Sequence, residues 1–388
     1  MVRAAVLGAD ARLCRRTSVD PRRPGRDVSP PGPEREGPLS PPGHPKGEHR
    51  SAEREGNSLT APDLTVVVTV VEGGAALTRC LEALSAQIDA PAMEIIVPFD
   101  STMQQVNDLA SRFPDYRFMD LGAVVAPGIR ANEFTRHILY DCRRTAGLKA
   151  ALGRYVAMLE DRGWPRKDWA RTMVSLHEQM PHAVIGGAIE SGAVGALRSA
   201  AFYCDFGRYE PPFAGGDAQY VSDVNICYKR AALDAVRPLW ESRYQEATVN
   251  WALQRQGLRL HLSDQPRVIE ERGPLRLWPA LAERVHWGRT FGYVRGREGS
   301  RAASVLRVVA APLVPALLLL RHARKQLALR RRVWSFARVL PATFLLMVCW
   351  SLGEAIGELE AILASGKTTA LPDIAAHQDR GVRHERSC

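Results

Sequence analysis

The run Leu64-Thr-Val-Val-Val-Thr-Val-Val71 constrains this chain more than any other feature. It is β-branched, uncharged and closed by Glu72-Gly73-Gly74. Such a stretch reads as a strand buried on both faces, the kind found inside a parallel sheet, ending in a loop. A helix is expected from Ala75 to about Gln87, with Leu77, Cys80, Leu81 and Leu84 on one face. Glu94-Ile-Ile-Val97 then reads as a second strand, running into Pro98-Phe-Asp100. Strand, helix, strand is a right-handed parallel unit. Ligands of open α/β sheets bind at the carboxyl ends of the strands, so Glu72 and Asp100 stand where a site would be; the alternative is that each caps a helix.

A third unit begins with the helical stretch Thr145-Ala-Gly-Leu-Lys149-Ala-Ala-Leu-Gly153 and passes into the strand Tyr155-Val-Ala-Met-Leu159. That strand ends in Glu160-Asp161-Arg162. Neighbouring carboxylates at an apolar strand tip repel unless a cation or hydrogen bonds offset them, so a site is favoured over packing. Asp168 opens a further helix toward Met180, and Val184 to Ile189 returns as a strand.

This succession resembles the family 2 glycosyltransferases, whose nucleotide-sugar domain has the GT-A fold. The matching run is Gly153-Arg-Tyr-Val-Ala-Met-Leu-Glu160-Asp161-Arg162, continued from Pro165 to Trp169. The segment Gly215 to Arg230 is similar to the acceptor-side segment, with Asp217, Asn225 and Tyr228. Trp240 to Leu260 is similar to a helix that carries the catalytic base and ends in a glycine. The resemblance covers roughly Leu64 to Arg272. It implies a mostly parallel α/β sheet flanked by helices, and transfer of a sugar from a nucleotide-diphosphate donor.

By the same resemblance, Glu72 and Asp100 contact the nucleoside, and Glu160 and Asp161 hold the diphosphate through Mg²⁺ or Mn²⁺. Lys149 and Arg162 join the donor-binding set. A diphosphate leaving group needs its charge neutralised, which carboxylate-bound divalent cations do. Glu246 is the expected base, with Glu241 as rival, because an attacking hydroxyl needs a carboxylate to take its proton. One base and one displacement give inversion. Two departures bear on this. Arg162 stands where the family often has its main metal-binding Asp, so a fixed cation competes with the metal or partly replaces it. Gln245-Glu246-Ala247 stands in place of Glu-Asp.

Residues 1–62 hold ten of the chain's 26 prolines, few large apolar residues and many charges, and are read as a disordered tail. The catalytic domain is expected over 63–274 and a basic, aromatic interfacial segment over 275–303. Hydrophobic membrane-associated helices follow over 304–363, then a flexible tail over 364–388. Val308 to Leu320, with Pro312 and Pro315, and Val339 to Gly353, with Pro341, each fall short of the roughly 20 apolar residues a straight span needs. The connector Arg321 to Arg332 has six Lys or Arg and no acid, which places it in the cytoplasm. The first run is therefore read as interfacial or re-entrant and the second as the one possible span, with Glu354, Glu358 and Glu360 on the far side. The alternative is two core helices of a soluble accessory domain.

The formal charge of +10 suits an anionic partner. Without a recognisable nucleic-acid-binding pattern, and with much of the excess beside the apolar runs, a membrane surface is preferred to nucleic acid. Seven cysteines without metal or disulfide spacing suggest reduced thiols. Asp10 and Arg12 break the apolar stretch after Arg3 too early for a signal-peptide core. Added to the resemblance, these imply an enzyme at the cytoplasmic membrane, facing the cytoplasm, that glycosylates a glycan or lipid-linked acceptor. The competing reading is a non-catalytic partner of another transferase, suggested by Arg162 and by Ala247.

Overall fold

The computed structural model describes residues 61–124, 133–330 and 333–364; the expected tails lie almost wholly outside the described residues. Strand β1 (Leu64–Thr69) is the buried run anticipated above, with every residue buried. It earns that burial by pairing in parallel on both sides, with β2 (Met93–Phe99) and β4 (Tyr155–Glu160). Helix α1 (Gly74–Ser85) crosses from β1 to β2 and buries Leu77, Cys80, Leu81 and Leu84. After β2, a 3-10 turn and the short α2 (Asn107–Ala110) lead to the edge strand β3 (Arg117–Asp120), parallel to β2. Helix α3 (Glu133–Ala150) returns to β4. Gly153 makes that entry, because a Cβ there would lie 2.4 Å from the Thr65 backbone nitrogen.

Beyond β4 the sheet changes character. Short β5 (Gly163–Pro165), helix α4 (Trp169–Gln179), β6 (Val184–Ser191), α5 (Ala196–Phe206), β7 (Gly216–Ala218) and β8 (Asn225–Lys229) follow in order. Then come α6 (Arg230–Ala235), α7 (Arg237–Trp240), α8 (Glu246–Arg255) and the long β9 (Leu260–Glu270). The sheet runs β3-β2-β1-β4-β8-β6-β9-β5, with β7 beside β9. Four of its pairings are parallel and four antiparallel, so it is a mixed sheet whose first half alone is wholly parallel. The antiparallel insertion of β8 between β4 and β6 was not legible in its short sequence. The helix read through Trp240 to Glu246 is in fact two: α7 ends at Trp240, and Glu246 is the first residue of α8.

The remaining chain forms α9 (Leu277–Glu298), α10 (Arg301–Ala310), α11 (Val314–Leu329) and α12 (Val333–Ala364). Two stretches, Arg301–Leu329 and Val333–Ala364, are long and apolar enough to cross a membrane, by length and composition. Their environments differ. α12 runs alongside α9 through facing small residues: a Cβ on Gly292 would lie 2.2 Å from the Glu354 carbonyl oxygen, and one on Gly357 2.0 Å from that of Arg289. Such small-residue spacing lets helix backbones meet. Arg295 on α9 then donates to Glu358 at 2.6 Å and to Glu354 at 3.3 Å, and Arg307 on α10 donates to Glu358 at 2.7 Å. Glu354 and Glu358, read from sequence as facing the far side of a membrane, are thus buried against arginines of neighbouring helices. By contrast Val305, Leu306, Val309, Leu313, Leu317 and Leu320 all face outward along α10 and α11.

Candidate functional site

A cleft opens beyond the carboxyl ends of β1 and β4, roofed by α9 and α12. Glu160, the last residue of β4, and Arg162 come from the acidic strand tip; Asp141 and Arg144 come from α3, and Asp223 from the loop before β8. Glu246 enters at the first turn of α8, Asp205 at the end of α5, and Glu270 and Arg272 at the end of β9. Phe206, Tyr209, Trp287, Phe291, Val294 and Trp350 make an apolar wall. An adjoining cavity shares Tyr140, Arg162, Arg272 and Trp287 with the first and adds Arg136 and Arg276. The first cavity is thus rich in carboxylates, while the adjoining one sets four guanidinium groups against two carboxylates, Glu72 and Glu283, which pair with Arg162 and Arg272.

Arg144 organises the acidic end. Its Nη2 lies 2.6 Å from Glu160 and 2.9 Å from Asp223, and its Nη1 3.5 Å from Asp141. Burial alone would lower the Arg144 pKa, but Asp223, Glu160 and Asp141 outweigh it and raise it. Burial pushes the Glu160 carboxyl up to about 7, against the pull of Arg144. Glu270 is pushed up to about 8, again chiefly by burial, with Arg272 and Arg162 opposing. Ionised carboxylates crowded in a buried cleft are costly and respond to any cation or hydroxyl donor that enters.

The sign of the Glu270 shift fixes a pH effect. Its folded pKa lies above the unfolded one, so the folded state holds the proton longer and loses stability as pH rises from about 4.5 to about 8. Glu270→Gln removes that loss. The variant is expected to melt at a higher temperature than the parent at pH 8 and to match it near pH 4, which thermal denaturation across pH checks.

The residues singled out in the sequence do not all meet here. Glu160 and Arg162 line the cleft, and Glu246 lines it while 7% exposed. Asp161 turns the other way. Its carboxylate accepts from the backbone N–H groups of Glu72 at 3.0 Å and Gly73 at 2.6 Å. Gly73 and Gly74, with φ of 70° and 51°, give that loop the left-handed bend that aims both amides at Asp161. The carboxyl is pushed up to about 6 by burial even so. Glu72 closes the same loop, accepting from Gly273 N–H at 3.0 Å and pairing with Arg162 at 2.8 Å.

Asp100 lies deeper still, fully buried. It accepts from Thr102 N–H at 2.9 Å, Thr102 Oγ1 at 2.6 Å and Arg143 Nε at 2.7 Å. Lys149 is exposed at the end of α3 and lines neither cavity. Glu241 is half exposed and 3.6 Å from Arg237, outside both cavities. Asn225 is a packing group, donating to the Ala188 and Pro266 carbonyls and accepting from Trp169 Nε1. Tyr228 is buried with its hydroxyl 2.8 Å from that of Tyr244. Asp217 is exposed on β7, paired with His182 and Arg259, and lines neither cavity.

The acceptor-side set expected from sequence is therefore not assembled at the cleft, because the β8 insertion turns Asn225 and Tyr228 into the core. Arg144, Asp223, Glu270 and Arg272 were missed. Only Asp223 had a usable signal, lying two residues before Asn225. A hard divalent cation takes carboxylate oxygens. Glu160 and Asp223 instead converge on one nitrogen of Arg144, whose fixed cation takes the place such an ion would need; Asp161, turned into the loop amides, does not face it.

No family model matches the chain, and no curated protein matches it. Among solved structures, a mannosyltransferase from Pyrobaculum calidifontis in complex with GDP-Man and Mn²⁺ is similar at a TM-score of 0.40 and 16% identity. The similarity extends over 84% of this chain and 81% of that chain.

Proposed function

We propose that the chain transfers a sugar, with inversion, from a nucleotide-diphosphate donor to a glycan or lipid-linked acceptor held at an anionic membrane surface. The observation that carries this reading is the two-ended cleft at the carboxyl ends of the parallel strands, where α/β sheets bind ligands. In this reading the diphosphate lies toward Arg162, Arg272, Arg136 and Arg276, since guanidinium forks match phosphate oxygens. Glu246 accepts the proton of the attacking hydroxyl, and Asp141 and Glu270 orient sugar hydroxyls. Arg144, fixed between Glu160 and Asp223, supplies resident positive charge at that end, and Mg²⁺ or Mn²⁺ entering with the donor would neutralise charge on the leaving diphosphate.

The outward apolar face of α10 and α11 supports attachment at a membrane, as do the arginines that flank it. Lys325 Nζ donates to the Gly207 carbonyl at 3.1 Å and Gln326 donates to Glu210 at 2.8 Å. These bonds tie the basic connector to the turn after α5, which suits a connector and a catalytic domain on one, cytoplasmic, side. The apolar cleft wall suits an acceptor with a hydrophobic portion. The non-catalytic alternative draws on Arg162, whose guanidinium is engaged by Glu72 where the family has a metal-binding acid.

The test is nucleotide release from uridine, guanosine and thymidine diphosphate sugars by the full chain in lipid nanodiscs, with and without Mg²⁺ or Mn²⁺. One donor is expected to be hydrolysed slowly without acceptor, and Glu160→Gln to abolish that release. Silence with every donor and either metal defeats the catalytic reading and leaves the non-catalytic one.

A further inference from the structure

Away from the cleft, three metal-ligating side chains meet at the far edge of the sheet. Asp217 on β7 and His261 on β9 are direct partners in the antiparallel register, so their side chains share a face. His182 reaches the same point from the turn before β6, whose Val184 is paired with Leu260 of β9. One ligand atom from each of the three lies within 4.8 Å of the others. His182 Nε2 is 2.7 Å from Asp217 Oδ1, and the two imidazole rings have centroids 5.0 Å apart.

We propose that His182, Asp217 and His261 bind a divalent transition cation of zinc-like character. Two imidazoles and one carboxylate suit zinc and its neighbours, and suit magnesium or calcium poorly, since those ions seek oxygen. Tetrahedral ligand–metal bonds of about 2.0–2.2 Å hold adjacent ligand atoms roughly 3.3–3.6 Å apart. The His182–Asp217 contact of 2.7 Å therefore opens by roughly 0.6–0.9 Å, the cation replacing its proton, while the ligand atoms, now within 4.8 Å of one another, draw in to a similar spacing. Arg259 grips the same carboxylate, with Nη2 at 2.8 and 2.7 Å from its two oxygens, which orients it as outer partners orient metal-binding carboxylates. The Asp217 side chain is 58% exposed, so an ion has an open approach. Three protein ligands leave at least one position for water. A bound ion would staple the three-residue edge strand β7 to β9 and to the turn before β6.

The site is independent of sugar transfer, and its test keeps the two apart. Zn²⁺ is titrated calorimetrically into the full chain and into His261→Ala, and Co²⁺ binding is followed by visible absorption. Wild type is expected to bind one Zn²⁺ that His261→Ala binds at least tenfold more weakly, and to melt at a higher temperature with Zn²⁺ than with chelator. Glu160→Gln should retain that binding. If His261→Ala unfolds, Asp217→Ala, at an exposed position, gives the same reading. Undiminished Zn²⁺ binding in both variants, loss in Glu160→Gln instead, or no binding by wild type overturns the proposal and leaves an ordinary His–Asp–Arg ion-pair cluster.

Discussion

Glu246→Gln is expected to lower kcat for sugar transfer by roughly 10²–10⁴-fold, the usual worth of a positioned general base. The donor KM should change little. Glutamine keeps the shape of the side chain at the head of α8 and leaves the arginine end of the cleft intact, so the loss falls on the transition state rather than on donor binding. Glu241→Gln is the matched control: that residue is half exposed beside Arg237 and outside both cavities, so its replacement should leave kcat near wild type. Steady-state rates of both variants on the donor found active decide the matter. A large loss in Glu241→Gln with none in Glu246→Gln would remove the base from α8.

The second large effect concerns Asp100 and Arg143, which are both 1% exposed at their side chains and 2.6 Å apart at their closest. Arg143 also donates to the Val70 carbonyl and to Thr102 Oγ1. Arg143→Ala strips Asp100 of its counter-charge while leaving the carboxylate buried, which costs about 3–5 kcal/mol. For a domain of this size that lowers Tm by on the order of 10 °C. Thermal unfolding of the variant measures it. Asp100→Asn keeps the hydrogen-bond shape and should destabilise less. If Asp100 instead served the nucleoside directly, Asp100→Asn would weaken donor binding with Tm unchanged, which calorimetry on the same protein reveals.

These two predictions mark where reading along the chain and the folded chain part company. The parallel half of the sheet was legible because β1 is buried on both faces, and such a strand must be apolar throughout. The strand tip at Glu160 was legible for the converse reason: charge at the end of an apolar strand is costly without a use. Asp100 sat at the right place in the sheet but inside it, and a carboxylate two residues from its own hydrogen-bonding threonine looks the same in sequence whether it faces a ligand or a buried arginine. The apolar C-terminal runs were visible as composition. That α12 buries Glu354 and Glu358 against α9 and α10 was not, because helix pairing depends on glycines and charges on separate segments.

The acidic tip draws the boundary most sharply. The sequence by itself determined that a strand ends in Glu160-Asp161-Arg162, and that this end lies where α/β sheets hold ligands. Only the tertiary structure decided which carboxylates serve the cleft. Strand β4 ends at Glu160 and the chain turns at Asp161-Arg162, which sends the two carboxylates to different places. Glu160 therefore meets Arg144 and Asp223, while Asp161 closes the Glu72–Gly74 loop. Glu270 joins them across more than a hundred residues because β9 pairs with β5, Gly163 opposite Glu270. Register and side are properties of the assembled sheet, set by the pairing of distant strands, and no local pattern encodes them.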